Sequence, residues 1–186
     1  MTTTELNPLL DFTGLPRFAA IRNEHITPAV ELLLAENRAR IESLTQPGTP
    51  ASWAAFVAPL EDANERLARA WGVVGHLHGV LDSPELRAAY NENQPKIVQY
   101  YTELGQNLSL FEKYKALKAA PEFAALTPAQ RKIVDNEIRD FRLSGAELSP
   151  SMQQRFAAIS EELARLATKF SENLLDATNA FALHVE

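Results

Sequence analysis

The sequence has no cysteine, which excludes disulfides, thiolate metal sites and a cysteine nucleophile. It has no apolar run of about 18 residues, so no transmembrane helix is expected. Met1 to Leu10 carries no positive charge and no apolar stretch, so no secretory signal is read there and the expected compartment is the cytoplasm. The 7 glycines are scattered, and neither G-x-x-x-x-G-K, G-x-G-x-x-G nor G-x-S-x-G occurs. An excess of positive charge is also missing. Lys and Arg number 18 against 24 Asp and Glu, and a net charge of −6 argues against a nucleic-acid binder, which needs a basic stripe to neutralise phosphates.

What is present is ordinary globular material, 46% apolar and 23% charged over 186 residues, enough chain for a full core. Its punctuation is a small hydroxyl residue followed by proline: Thr27-Pro28, Thr49-Pro50, Ser83-Pro84, Thr127-Pro128 and Ser149-Pro150. A hydroxyl at N-cap accepts from an orphan N–H, and proline at N1 lacks only a donor that would be unpaired there anyway. Thr127 and Gln130 add the spacing of a capping box.

Helical periodicity follows these marks, and the reading is all-α, a bundle of about six helices. Residues 1–26 are expected as an extended leader and 27–186 as the bundle. The first helix runs from Pro28 to about Leu44, the second through Leu60, Leu67, Trp71, Val74, His78 and Leu81, and the third from Pro84. Pro95 should kink or split the third, because it removes a ladder donor and crowds the preceding turn. A fourth helix is read over Ser109 to Ala120 and a fifth from Pro128 to about Leu143, with Gly145 as C′ residue. In the last helix Met152, Phe156, Ile159, Leu163, Leu166, Phe170, Leu174, Ala177 and Phe181 recur at steps of three and four. Charges at the flanking e and g positions are not systematic, which counts against a coiled coil. Trp71, Phe156, Ile159, Leu163 and Phe170 are expected in the core, where truncating Leu163 would cost roughly 2–5 kcal/mol. Ala182 to Glu186 is a candidate start of a strand.

Candidate chemistry is sparse. No His-Glu-x-x-His string exists among His25, His76, His78 and His184. His76 and His78 project from a helix about 200° apart and cannot share an ion. His78 lies on an apolar stripe and reads as a core or boundary histidine with a local hydrogen bond. The carboxylate clusters Glu61-Asp62, Glu161-Glu162 and Asp135/Glu137/Asp140 read as solvated faces, the last interleaved with Arg131, Lys132, Arg139 and Arg142. From the residues alone the chain is a helical protein with no visible active site.

A family resemblance adds to this. Asn7-Pro8-Leu9-Leu10, Leu15-Pro16-Arg17-Phe18 and Glu24-His25-Ile26-Thr27-Pro28-Ala29-Val30 resemble the opening of the M3, thimet oligopeptidase-like, zinc metallopeptidases, oligopeptidase A among them. The similarity continues through Trp53, Pro59-Leu60, His76-Leu77, Ser83 to Tyr90, Val134-Asp135-Asn136, Arg139-Asp140-Phe141, Leu143-Ser144-Gly145 and Ser171 to Thr178. It implies a nearly all-helical, two-lobed enzyme whose deep channel admits short peptides. Zinc is held there by a His-Glu-x-x-His helix and a downstream Glu, and zinc-bound water cleaves internal peptide bonds. This chain corresponds to the family's N-terminal part, with the zinc ligands and catalytic residues expected beyond Glu186. No catalytic, cofactor-binding or metal residue is therefore assigned within it. The resemblance implies a non-catalytic channel wall whose partners are short peptides and its own catalytic half, with no nucleic acid and no membrane. A fragment parted from that half should expose apolar surface and self-associate. The alternative is a stand-alone helical interaction module that lost catalysis.

Overall fold

The computed structural model describes residues 7–184, and among them there are helices and turns but no strand. Seven α-helices follow in order: α1 (Ile26–Leu44), α2 (Ala58–Val80), α3 (Pro84–Gly105), α4 (Leu108–Ala119), α5 (Pro121–Ala125), α6 (Pro128–Leu143) and α7 (Pro150–Ala180). The hydroxyl-proline marks work where the hydroxyl faces the first turn. Ser83 accepts from the Leu86 N–H at 3.2 Å, and Thr127 closes its capping box with Gln130. At Thr27 the mark misleads. Helix α1 begins at Ile26, two residues before the expected Pro28, which is absorbed into its first turn, and the Thr27 hydroxyl instead accepts from Asn93 of α3 at 2.8 Å. Thr49-Pro50 opens no helix; Ser52 caps a wide π-turn over Trp53–Val57 that leads into α2.

The N-terminal segment is less extended than its composition suggests. Three 3-10 turns, Pro8–Leu10, Phe18–Ala20 and Asn23–His25, fold it onto α1 and α2. Leu9 is buried there, and the Asn7 carboxamide donates to the His25 carbonyl at 2.7 Å. The Arg66 guanidinium lies 5.0 Å from the centre of the Phe12 ring, and Arg69 donates to the Phe12 and Gly14 carbonyls.

Two apolar clusters form the interior. The first joins α1, α2 and α3 through Ile26, Leu33, Leu67, Val74, Ile97 and Tyr100. The second joins the π-turn, the ends of α1 and α2, α4 and α6 through Phe56, Leu110, Phe111, Tyr114, Val134 and Phe141. Ile41 and Leu104 touch both clusters and weld them together. A buried polar network ties the first three helices: Asn37 donates to the Tyr100 hydroxyl at 3.2 Å, which donates to Asn64 at 2.6 Å. Burial pushes the Tyr100 phenol up to about 12, so it stays a donor.

Helix α3 runs unbroken through Pro95. The lost ladder bond is tolerated because the neighbouring turns are anchored. Asn93 is fully buried, bonded to Thr27 and to the Ala89 carbonyl, and Ile97 and Tyr100 sit in the first cluster. The end of α3 meets the end of α6 so closely that a Cβ at Gly105 would stand 2.6 Å from that of Ser144. Gly145 takes φ +87° just past α6, the left-handed C′ position expected of it.

The last helix departs from expectation. Trp71 is partly buried against the first cluster, but Phe156, Ile159, Leu163 and Phe170 belong to neither cluster. Ile159, Leu163 and Phe170 are 50%, 62% and 68% exposed. The period is right and its direction is outward. Residues 181–184 leave α7 without pairing as a strand, and Val185 and Glu186 lie outside the described residues.

Paired truncations test this arrangement. Leu33→Ala, in the fully buried first cluster, should lower unfolding free energy by roughly 2–5 kcal/mol. Leu163→Ala should change it by less than about 0.5 kcal/mol in urea melts of dilute protein. Equal losses would place the α7 stripe in the core.

Candidate functional site

Helix α7 lies antiparallel on α3, with Gln153 beside Gln106, Ala164 and Thr168 beside Gln94, Glu172 beside Asn91, and Asp176 beside Arg87. The residues on this face are small or polar, recurring at steps of three and four just as the apolar ones do on the other side. Packing on α3 is therefore a polar seam. The Gln94 carboxamide donates to the Ala164 carbonyl at 3.2 Å and to the Thr168 hydroxyl. The Glu172 carboxylate accepts from Asn91 at 3.0 Å and faces His78 Nε2 at 3.3 Å.

A charged clasp closes the C-terminal half of the seam. Asp82, in the turn between α2 and α3, has φ 40°, a left-handed conformation that Asp tolerates better than most residues. Its carboxylate takes a two-pronged contact from Arg87. Arg87 also reaches Asp176 of α7 through Nη1 at 3.1 Å and through Nη2. Hydrogen bonding from Arg87 holds both carboxylates below the usual range, and the two carboxylates, Asp176 foremost, keep the guanidinium charged. Between α3 and α7 lies a groove of about 460 Å³ lined by Arg87, Asn91, Gln94, Arg165, Thr168 and Glu172 among others. Side chains of both charge signs line it, Arg87 and Arg165 against Glu172 and Asp176.

The four histidines are dispersed. His25 caps its own turn, its Nδ1 accepting from the Arg22 N–H at 3.1 Å. His76 meets Phe18 edge-on at 5.4 Å. His78 stacks on Tyr90 at 4.1 Å, and Tyr90 stacks in turn on Trp71 at 4.7 Å, so His78 is a boundary residue held by a ring and a carboxylate. His184 is exposed beyond α7. Among the described residues no group of three or more His, Cys, Asp or Glu is placed to hold a metal ion.

One member of the acidic cluster on α6 departs from the solvated face expected of it. Arg139 pairs with Asp140 at 2.7 Å on the surface of α6, as the alternating charges suggest. Glu137 instead turns inward toward Glu61 of α2 and Tyr114 of α4, whose hydroxyl donates to Glu61 Oε1 at 3.4 Å. Burial chiefly, then the negative charges of Glu61 and Asp140, pushes the Glu137 carboxyl up to about 7, against a smaller opposing pull from Arg139. Burial also raises Glu61 and the Tyr114 phenol. The available signal was position: Glu137 follows Val134 by three and precedes Phe141 by four, on the inward stripe of α6.

The family model for the Neurolysin/Thimet oligopeptidase, N-terminal domain, matches residues 30–155. Oligopeptidase A of Haemophilus influenzae is 45% identical over 181 residues, covering 97% of this chain and 26% of that protein. Oligopeptidase A of Salmonella typhimurium is 42% identical over 172 residues, 92% of this chain and 25% of the relative. A probable cytosolic oligopeptidase A of Arabidopsis thaliana is 38% identical over 179 residues, 96% of this chain and 25% of the relative. The chain thus spans about a quarter of the length of the curated relatives it matches.

Two outcomes follow from the geometry. Arg87→Met should strip amide-exchange protection from the C-terminal half of α7 while α1 and α2 keep theirs; uniform loss across the molecule would mean the clasp is not local. Glu137 binds its proton more tightly folded than unfolded. Its contribution to stability is therefore complete below the unfolded carboxyl range, near pH 4, and falls away as pH rises toward 7. Glu137→Gln should flatten the pH dependence of unfolding free energy across that window and stabilise the protein at pH 8. An unchanged slope would place Glu137 in water.

Proposed function

The chain belongs to the neurolysin/thimet oligopeptidase family through its N-terminal domain, and from that premise we propose that residues 1–186 form a non-catalytic wall of the substrate channel in an oligopeptidase A-like zinc metalloendopeptidase. The match of the family model to residues 30–155, with relatives named oligopeptidase A some four times as long, carries this reading. Hydrolysis of short peptides belongs to the portion of such an enzyme that this chain does not span. Zinc and its ligands belong there too, where the metal would activate water for attack on the peptide carbonyl. What these residues supply is a rigid helical surface: two welded apolar clusters, with α7 clasped along α3. The cytoplasm is the proposed compartment, in keeping with the relative named as cytosolic.

A second reading, a stand-alone helical interaction module, draws on one observation. The apolar face of α7 points outward, as a docking helix would. A quenched-fluorescence assay with internally cleavable peptides and added zinc separates the two. The 186-residue chain alone should be inactive. The same chain joined to the remaining three quarters of the Haemophilus influenzae relative should cleave the peptides. An inactive hybrid, beside an active relative, would favour the stand-alone module. Cleavage by the chain alone, surviving repurification, would contradict the absence of catalytic residues here.

A further inference from the structure

Beside the second apolar cluster stand two carboxyls with no counter-ion. Glu61 lies in the first turn of α2, next to Leu60 of that cluster, and Glu137 lies on the inward stripe of α6 between Val134 and Phe141. Both are half-buried. Among the described residues neither forms an ion pair, because the neighbouring cations are engaged elsewhere. On α4, Lys113 donates to the Thr49 carbonyl and Lys118 pairs with Asp135 at 2.7 Å. On α6, Arg139 is held by Asp140 at 2.7 Å and exerts only a minor pull on Glu137. The other charges acting on the pair, Asp62 on α2 and Asp140 on α6, are negative. From α4 comes a neutral group, the Tyr114 phenol. It is fully buried, its ring is edge-on to Phe56 at 4.8 Å, and its hydroxyl donates to Glu61 Oε1 at 3.4 Å.

We propose that Glu61 and Glu137 form a proton-operated latch between α2 and α6, closed while Glu137 carries a proton and loosened when that proton leaves for solvent.

The hydrogen bonds decide which carboxyl holds the proton. A donor stabilises an ionised carboxylate. Glu61 has one in the Tyr114 hydroxyl, and Glu137 has none among the described residues. Glu61 therefore keeps its charge, and Glu137 takes the proton. The directions agree: burial raises Glu61 but the Tyr114 bond draws it back, whereas burial and the charge of Glu61 together push Glu137 up to about 7. Once Glu137 ionises, two carboxylates face each other beside Leu60, Val134 and Phe141, where water screens them poorly. Moving α6 away from α2 until water reaches both groups relieves that repulsion. The sign follows from the raised Glu137 carboxyl: the latch is fully closed below the ordinary carboxyl range and opens as pH rises toward 7. Glu61, Tyr114 and Glu137 all lie within residues 30–155, and the latch does not depend on the peptidase reading.

Amide exchange of the 186-residue chain at pH 6 and pH 8, corrected for intrinsic exchange, reads the latch. Protection of α6 should fall about tenfold, the change released over that interval by a carboxyl that titrates near 7 when closed and in the ordinary range when open. Helix α1, in the first cluster, should keep its protection. Glu137→Gln should abolish the fall. Glu61→Gln, which removes the facing charge, should move the Glu137 carboxyl titration, followed by carbon-13 NMR, down from about 7 toward the ordinary range. Unchanged α6 protection in the parent, a fall shared equally by α1, or a fall that persists in Glu137→Gln would overturn the proposal. A Glu137 titration that Glu61→Gln leaves in place would overturn it as well.

Discussion

Helix α7 is attached to the molecule by its polar side, and much else depends on that. An apolar stripe normally fixes which way a helix faces, because burying it dominates the energetics. Here the hydrogen bonds from Gln94, Asn91 and Gln106 and the Arg87 clasp turn the small and polar residues of α7 toward α3. That face brings helix backbones together without large side chains between them. It leaves a polar groove beside the seam and an apolar surface on the far side. The groove and the exposed stripe both follow from that rotation.

The remainder of the molecule can hold α7 this way because it is complete without it. The first cluster closes α1 to α3 around Leu33, Leu67 and Tyr100, and the second closes α4 and α6 around Phe111, Tyr114 and Phe141, with Ile41 and Leu104 shared. Neither cluster includes an α7 residue. Helix α7 is an appended lever on a finished core, and its C-terminal half is fastened by ionic contacts that loosen as Asp82 and Asp176 take up protons in acid. The core has its own opposite dependence through Glu137, which is most comfortable when protonated.

Most helices were legible in the sequence, because capping chemistry and period are local. Ser83, Thr127 and Pro128 mark true starts, and Gly145 a true stop. Misses arose where a distant group competed. Thr27 is drawn to Asn93 instead of capping α1, Pro95 is carried through by anchored neighbours, and the short α5 restarts directly after α4 at Pro121. The α7 stripe shows the deeper limit. Period identifies an apolar face, but only the partner decides whether that face lies inside or outside. Glu137 failed in the opposite sense, since its charged neighbours masked a position on the inward stripe of α6.

The absence of cysteine permits a direct measurement of the orientation of α7. Single cysteines at Leu163 and at Ala164, one residue apart on α7, can be titrated with a thiol reagent in native, dilute protein. The account predicts that Leu163→Cys reacts nearly as fast as in denaturant, while Ala164→Cys, turned toward Gln94 of α3, reacts far more slowly. The reverse order, with Leu163→Cys protected and Ala164→Cys open, would show that α7 buries its apolar stripe and would contradict the account at its foundation.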